Sequence, residues 1–451
     1  MPRQIALLIC ILFIVWLFYR DRKIRPMTSI ALWIPFLWVI ILGTRPISMW
    51  FGIEYVQVDS LDDYLEGSPF DRNVLLGLII AGVTVVIRRS QKCLDLLKEN
   101  RFFLLFFIFC GISCFWSDYA FVSFKRYTKD IGTLVMVLIV LTETEPIQAL
   151  RAVFARYSYL VLLISVVFIK YFPEFGRVYN RWTGEPVYCG IATEKNIFGQ
   201  FVFICGLFII WDLIEILIKQ NAVNKKADVF NRFILLGLVI WLLYMASSAT
   251  AIFCMSFGVI ILIFMQTSLY KRQIQNLGTW IIAFLLLVIV IYSISGLLEF
   301  FTDILGRDTT LTGRTEIWNE LLAQPINPWL GVGYQSFWLT PTAARMTERF
   351  YFTLNQAHNG FLEVYIQTGL VSLSLLIAAI IAGSKQIKIG LLRNDNLAQL
   401  IFPFFIITLI SNWTEASINK FTLVWFILMI AIMYNPNLGY SNFKSDLSHK
   451  L

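Results

Sequence analysis

The stretch NIFGQFVFICGLFIIWDLI, residues 196–214, decides what kind of fold this chain adopts. It holds one ionisable side chain, Asp212, in an otherwise apolar or neutral run. A bilayer core about 30 Å thick is crossed by roughly 20 residues of helix, and this run has that length. Similar runs recur near 5–19, 28–44, 73–88, 102–117, 131–142, 154–170, 233–246, 250–266, 279–298, 360–383, 398–412 and 421–435. The 451 residues are 58% hydrophobic and 15% charged, with a mean hydropathy of +0.71. Soluble domains carry roughly 25% charged residues. The fold expected is therefore all-α: a polytopic membrane helix bundle of about 12–13 transmembrane helices. Residues 1–451 are read as a single membrane domain, with no Pro/Gly/Ser linker and no internal repeat. The run Ile5–Tyr19 lacks a small-x-small cleavage pattern and precedes a charged stretch, so it is read as a retained helix.

The loops separate by charge. More than half of the 37 Lys and Arg residues lie in one alternating set of short loops, at 20–25, 88–101, 151–156, 219–232, 271–272, 385–393 and 444–450. Positive residues collect on the cytoplasmic side of membrane proteins. The formal net charge of +8 is thus explained by topology and gives no reason to invoke nucleic acid. The loops 45–72, 171–195 and 299–357 then lie outside. The last is the large extracytoplasmic loop, expected to contain short helices. One is 314–322, with Thr312 or Gly313 as its cap; a second amphipathic stretch is Ala343–Phe352. Loops longer than about 12–15 residues are usually functional or disordered. This one is neither Ser/Pro-rich nor highly charged.

Few residues can carry chemistry. Among the seven cysteines there is no CxxC pair, and no Cys/His cluster has metal spacing. Asp62-Asp63 has no acidic partner at matching spacing and is read as an exposed pair. Of the two histidines, His449 lies in a polar tail and is read as inert. His358 closes the long loop just before a spanning helix. It can be read as a polar residue at a helix N-terminus or as a general base, since imidazole exchanges protons near neutral pH. The external cations Lys125, Arg126, Lys129, Arg177, Arg181, Lys195, Arg307, Arg314, Arg345 and Arg349 run against the charge rule. They either pair with acids such as Glu174, Glu185, Glu194 and Glu316, or receive an anionic ligand such as a lipid diphosphate, whose oxygens guanidinium forks bind well. Asp212 and Glu215 are read as interfacial. A proton-coupled transporter would place ionisable groups at mid-membrane, and few candidates exist.

Four motifs carry a family resemblance. Gly313-Arg314-Thr315-Glu316-Ile317-Trp318 runs on to Pro328-Trp329-Leu330-Gly331-Val332-Gly333-Tyr334. His358-Asn359 is followed by nine residues and then Gly369. Upstream stands Gly190-Ile191-Ala192-Thr193-Glu194-Lys195-Asn196-Ile197-Phe198-Gly199, and near the end Asn412-Trp413-Thr414-Glu415-Ala416-Ser417. Together they resemble the O-antigen ligase and Wzy-polymerase superfamily, nearest to its ExoQ-like exopolysaccharide polymerases, over roughly 100–430.

The resemblance implies a metal-independent, cofactor-free glycosyl transfer of inverting type at the periplasmic face of a bacterial inner membrane. The donor is an undecaprenyl-diphosphate-linked glycan and the acceptor a sugar hydroxyl, with membrane lipid around them and a chain-length regulator as a further partner. His358 would deprotonate the acceptor. Arg314, with Arg126, Arg181 and Lys195, would hold the diphosphate, and Asn196, Asn359 and Glu316 would contact substrate. Ligation of finished glycan to lipid A-core or protein, and transport of a lipid-linked sugar, are the alternatives. The chain departs from the pattern in two places. Ser247-Ser248-Ala249 stands where ligases often carry a diphosphate-binding Arg, and Ser372 stands where Gly, Thr or Tyr is expected.

Overall fold

The structure is a computed structural model that describes residues 1–24, 28–53, 68–179, 184–218, 225–276, 314–350 and 354–437. Asp62-Asp63, Arg181, Arg307, the 279–298 span, the Thr312–Gly313 cap and His449 lie outside the described residues.

Leaving aside single turns, the helices are α1 (Arg3–Ile24), α2 (Trp33–Gly43), α3 (Pro69–Arg88), α4 (Ser90–Glu99), α5 (Arg101–Ile112), α6 (Ala120–Leu141), α7 (Pro146–Tyr171) and α8 (Lys195–Ile218). There follow α9 (Lys225–Ala246), α10 (Ala249–Phe264), α11 (Arg314–Leu322), α12 (Pro341–Phe350), α13 (Gly360–Leu392), α14 (Asn396–Thr414) and α15 (Leu423–Met433). A two-stranded antiparallel hairpin, β1 (Arg177–Tyr179) and β2 (Pro186–Tyr188), pairs Arg177 with Tyr188. The chain is a polytopic all-α membrane protein. Seven described helices, α1, α3, α7, α8, α9, α13 and α14, are long and apolar enough to cross a bilayer. Shorter apolar helices lie at Ile30–Gly43, Ala249–Phe264 and Leu423–Met433. Every span expected within the described residues falls on a helix. The exception in form is 102–117: its helix meets Ser90–Glu99 at 95°. The bend is at Asn100, whose backbone leaves the helical region and whose side-chain amide donates to Leu96 O and Met433 O.

Helices α7, α8, α14 and α15 form the core. The α8–α10 contact is close because small residues allow it: a Cβ at Gly199 would lie 2.9 Å from Ala251 Cβ, and one at Gly258 would lie 2.5 Å from Leu207. In a bilayer, where lipid is as apolar as leucine, such close backbone approach replaces the hydrophobic drive for helix pairing.

At one end of the bundle, ion pairs tie the helices. Asp212, expected near the cytoplasmic interface, is 1% exposed. Its two oxygens accept from Arg151 of α7 at 2.7 Å and Arg232 of α9 at 2.8 Å. Arg156 pairs with Asp21 at 3.2 Å, and Arg20 with Asp228 at 2.6 Å. Removing one member of a buried pair strands the other charges, at about 3–5 kcal/mol. Asp212→Ala is therefore expected to lower the melting temperature in detergent markedly. An unchanged melt would mean that the triad holds nothing together.

Candidate functional site

The opposite use of charge appears around His358. Asn359 caps α13, its Oδ1 accepting from the N–H groups of Phe361 and Leu362 at 3.0 and 3.1 Å. Asn359, expected to contact substrate, thus uses its carbonyl oxygen to start the helix. The turn before it is held on both sides. Ala357 N–H donates to Glu363 Oε2 at 2.8 Å, and Trp318 of α11 donates to Ala357 O at 2.8 Å. Glu363, buried at 1% exposure, also accepts from Trp338 at 2.6 Å and from Gln367 at 2.9 Å. Clamped between these partners, His358 sits at φ +51°, a left-handed conformation that costs a non-glycine residue roughly 1–2 kcal/mol. The backbone of the turn thus aims the imidazole, and the indoles of two loop tryptophans hold that turn in place.

The same helix anchors the rest of the loop. At Gly369 (φ +70°, ψ −172°) α13 breaks, and residues 328–333 dock into the gap. Val332 and Gly333 donate to the carbonyls of Ile366 and Gln367 at 3.1 and 2.8 Å; Leu370 and Val371 donate back to Pro328 and Trp329 at 2.8 and 3.3 Å. Groups that a straight helix would pair internally are satisfied by the loop, as buried backbone requires. This is the physical content of the nine-residue gap between His358-Asn359 and Gly369. Ser372, the departure from the expected residue, is fully buried and 3.7 Å from Cys110 Sγ.

At the centre stands Glu415, which closes α14 and is 7% exposed. Its Oε1 accepts from Arg314 Nη2 and from Asn196 Nδ2, each at 3.1 Å, and its Oε2 lies 3.3 Å from His358 Nδ1. Arg314 also donates to Thr414 O at 2.5 Å. Three elements far apart in sequence thus meet on one carboxylate. If Nδ1 donates its proton to Glu415, Nε2 is left as the proton acceptor, the usual arrangement when a carboxylate orients a histidine. Sequence reasoning quoted Glu415 only as part of a turn. A carboxylate ending an apolar helix was the signal available.

Beside Glu415 opens a cavity of about 350 Å³, whose lining includes Arg126, Lys129, Glu363, Glu415 and Lys420. His358 is not part of this lining but contacts Glu415, which is. Of the expected ligand cations, Arg126 lines the cavity and donates to Gln335 O. Lys195 is exposed at the start of α8 and does not line it. Glu316 is exposed on α11 and is likewise absent from the lining. Other external cations have local partners: Arg177 donates to Ile169 O, Arg349 pairs with Glu320, and Arg345 donates to Thr342. The Ser247–Ala249 turn borders a small annex beside Glu415, where Ser248 caps α10.

These features define a multi-pass membrane protein whose long loop is fastened onto its own helix bundle around a His–Glu–Arg cluster. The model of the O-antigen ligase family (Wzy_C) matches residues 233–377, which include α11, His358 and Gly369. The exopolysaccharide production protein ExoQ of Rhizobium meliloti (strain 1021) is 26% identical over 302 residues. That match covers 65% of this chain and 66% of the relative, just under two thirds of the latter's length. Over these stretches the chain is similar to the O-antigen ligase family and to ExoQ. Glu415 and Asn196 lie outside the stretch that the family model matches.

Proposed function

We propose that the protein is a membrane glycosyltransferase of exopolysaccharide or O-antigen synthesis, extending a glycan carried on undecaprenyl diphosphate at the periplasmic face of the inner membrane. The observation that carries this reading is Glu415, which contacts Arg314, Asn196 and His358 and lines a cavity that holds the cations Arg126, Lys129 and Lys420 together with the acids Glu194 and Glu363. The printed name of the R. meliloti relative, an exopolysaccharide production protein, agrees with it.

In the proposed step the acceptor hydroxyl oxygen attacks the anomeric carbon of the donor sugar. The new C–O bond forms as the bond from that carbon to the diphosphate breaks, and undecaprenyl diphosphate leaves with the electron pair. His358 Nε2 takes the hydroxyl proton, and the carboxylate of Glu415 steadies the imidazolium. Single displacement inverts the anomeric centre. Cations aimed at the departing diphosphate lower the barrier where charge develops.

Purified protein in nanodiscs, given a defined undecaprenyl-diphosphate oligosaccharide, should yield lipid-linked products of multiple repeats. Failure to lengthen any such donor would overturn the reading. Sidedness has its own test. The seven native cysteines are all buried, so Ala344→Cys on the exposed side of α12 offers a single accessible thiol. A membrane-impermeant maleimide should label it in spheroplasts. Labelling only after lysis would put the site on the wrong side for this donor.

A further inference from the structure

We propose that Lys420, with Lys129 beside it in the cavity lining, is the seat of the donor's diphosphate. The inference rests on the function proposed above and adds to it the residues that bind the leaving group. Lys420 lies in the turn between α14 and α15, part-buried, and lines the cavity with Lys129 and Arg126. Its Nζ makes one hydrogen bond, to the neutral side chain of Gln356 at 3.3 Å. Among the described residues it forms no ion pair, and neither does Lys129.

Three acids line the cavity with it, Glu194, Glu363 and Glu415, and two of them already have other donors. Glu363 is occupied by Ala357, Trp338 and Gln367. Glu415 is occupied by Arg314 and Asn196 and faces His358. Carboxylates surround the ammonium, but none is in direct ion-pair contact with it among the described residues. A part-buried ammonium lacking a direct partner is unfavourable, and an anion entering the cavity would supply one. Burial pushes Lys420 below the ordinary lysine range, with Glu363 and then Glu415 drawing it part of the way back. Arg126 lowers it further and Glu194 raises it. A dianionic or trianionic group held against Lys420 would restore its proton. The position also suits the reaction: Lys420 lines the same cavity as Glu415, the carboxylate that contacts His358.

The test is binding of glycan-free undecaprenyl diphosphate to the full chain in nanodiscs, with neutral undecaprenol as control. Lys420→Gln should weaken diphosphate binding by at least about tenfold, the loss expected for one charge-assisted hydrogen bond, and leave undecaprenol binding unchanged. His358→Ala should bind the diphosphate as the wild type does. Lys420→Arg should retain binding and hold it to higher pH than the wild type, because arginine stays charged where a depressed lysine does not. Wild-type affinity in Lys420→Gln would overturn the assignment while leaving the proposed activity intact. A wild-type protein that binds no diphosphate lipid would remove the activity and the assignment together. If Lys420→Gln melts earlier but binds normally, the lysine is structural and the proposal fails.

Discussion

Replacing His358 by alanine is expected to reduce glycan elongation by about 10²–10⁴-fold, the usual contribution of one positioned general base, with membrane insertion and donor binding retained. The expectation follows from the geometry of the turn. Ala357 is held at both its N–H and its carbonyl, so the backbone keeps its path without the imidazole. Removing the side chain also relieves nothing in the helix, because the cap comes from Asn359. Glu415→Gln should give an intermediate loss. An amide still accepts from Arg314 or Asn196, but it cannot steady an imidazolium, so kcat should fall while KM for the donor changes little. Normal chain lengths from His358→Ala would end the general-base assignment, and an unaltered kcat in Glu415→Gln would end the orienting role of the carboxylate.

The second large effect is expected at Gly369. A Cβ there would lie 2.1 Å from Trp329 O and 2.5 Å from Leu330 N, at a φ of +70°. The clash is with backbone on both counts, so no rotamer change relieves it, and the left-handed conformation adds about 1 kcal/mol or more for alanine. Gly369→Ala should undock residues 328–333, seen as faster amide exchange at Val332 and Gly333, and abolish elongation. Gly184→Ala is the matched control: φ there is +68°, yet nothing lies within 4 Å of its Cβ. It should show the backbone effect alone. Protected amides in Gly369→Ala would mean that the loop does not depend on the break.

Much of this was legible in the sequence, and the reasons differ by element. Helices such as α8 announce themselves because a membrane span needs only length and apolarity. The α11 helix was legible from the acid in its first turn, and the family resemblance is what singled out His358. What spacing could not convey is the role of Gly369, since a helix break is stabilised by hydrogen bonds to residues some forty positions away. Glu415 was obscured for the same reason: it is 57 residues from His358 and 219 from Asn196. Lys420 drew no notice because a lone lysine between two spans reads as an interfacial charge. Lys195 differs again: its motif resemblance marks it as a ligand, and the structure shows it exposed at a helix start, with its neighbour Asn196 on Glu415.

Arg314 and His358 both fasten to one carboxylate, Glu415. Under the proposed function, anything that drew Arg314 away from that carboxylate would also change how firmly the imidazole is held, so an event at one contact would be felt at the other with no further relay between them.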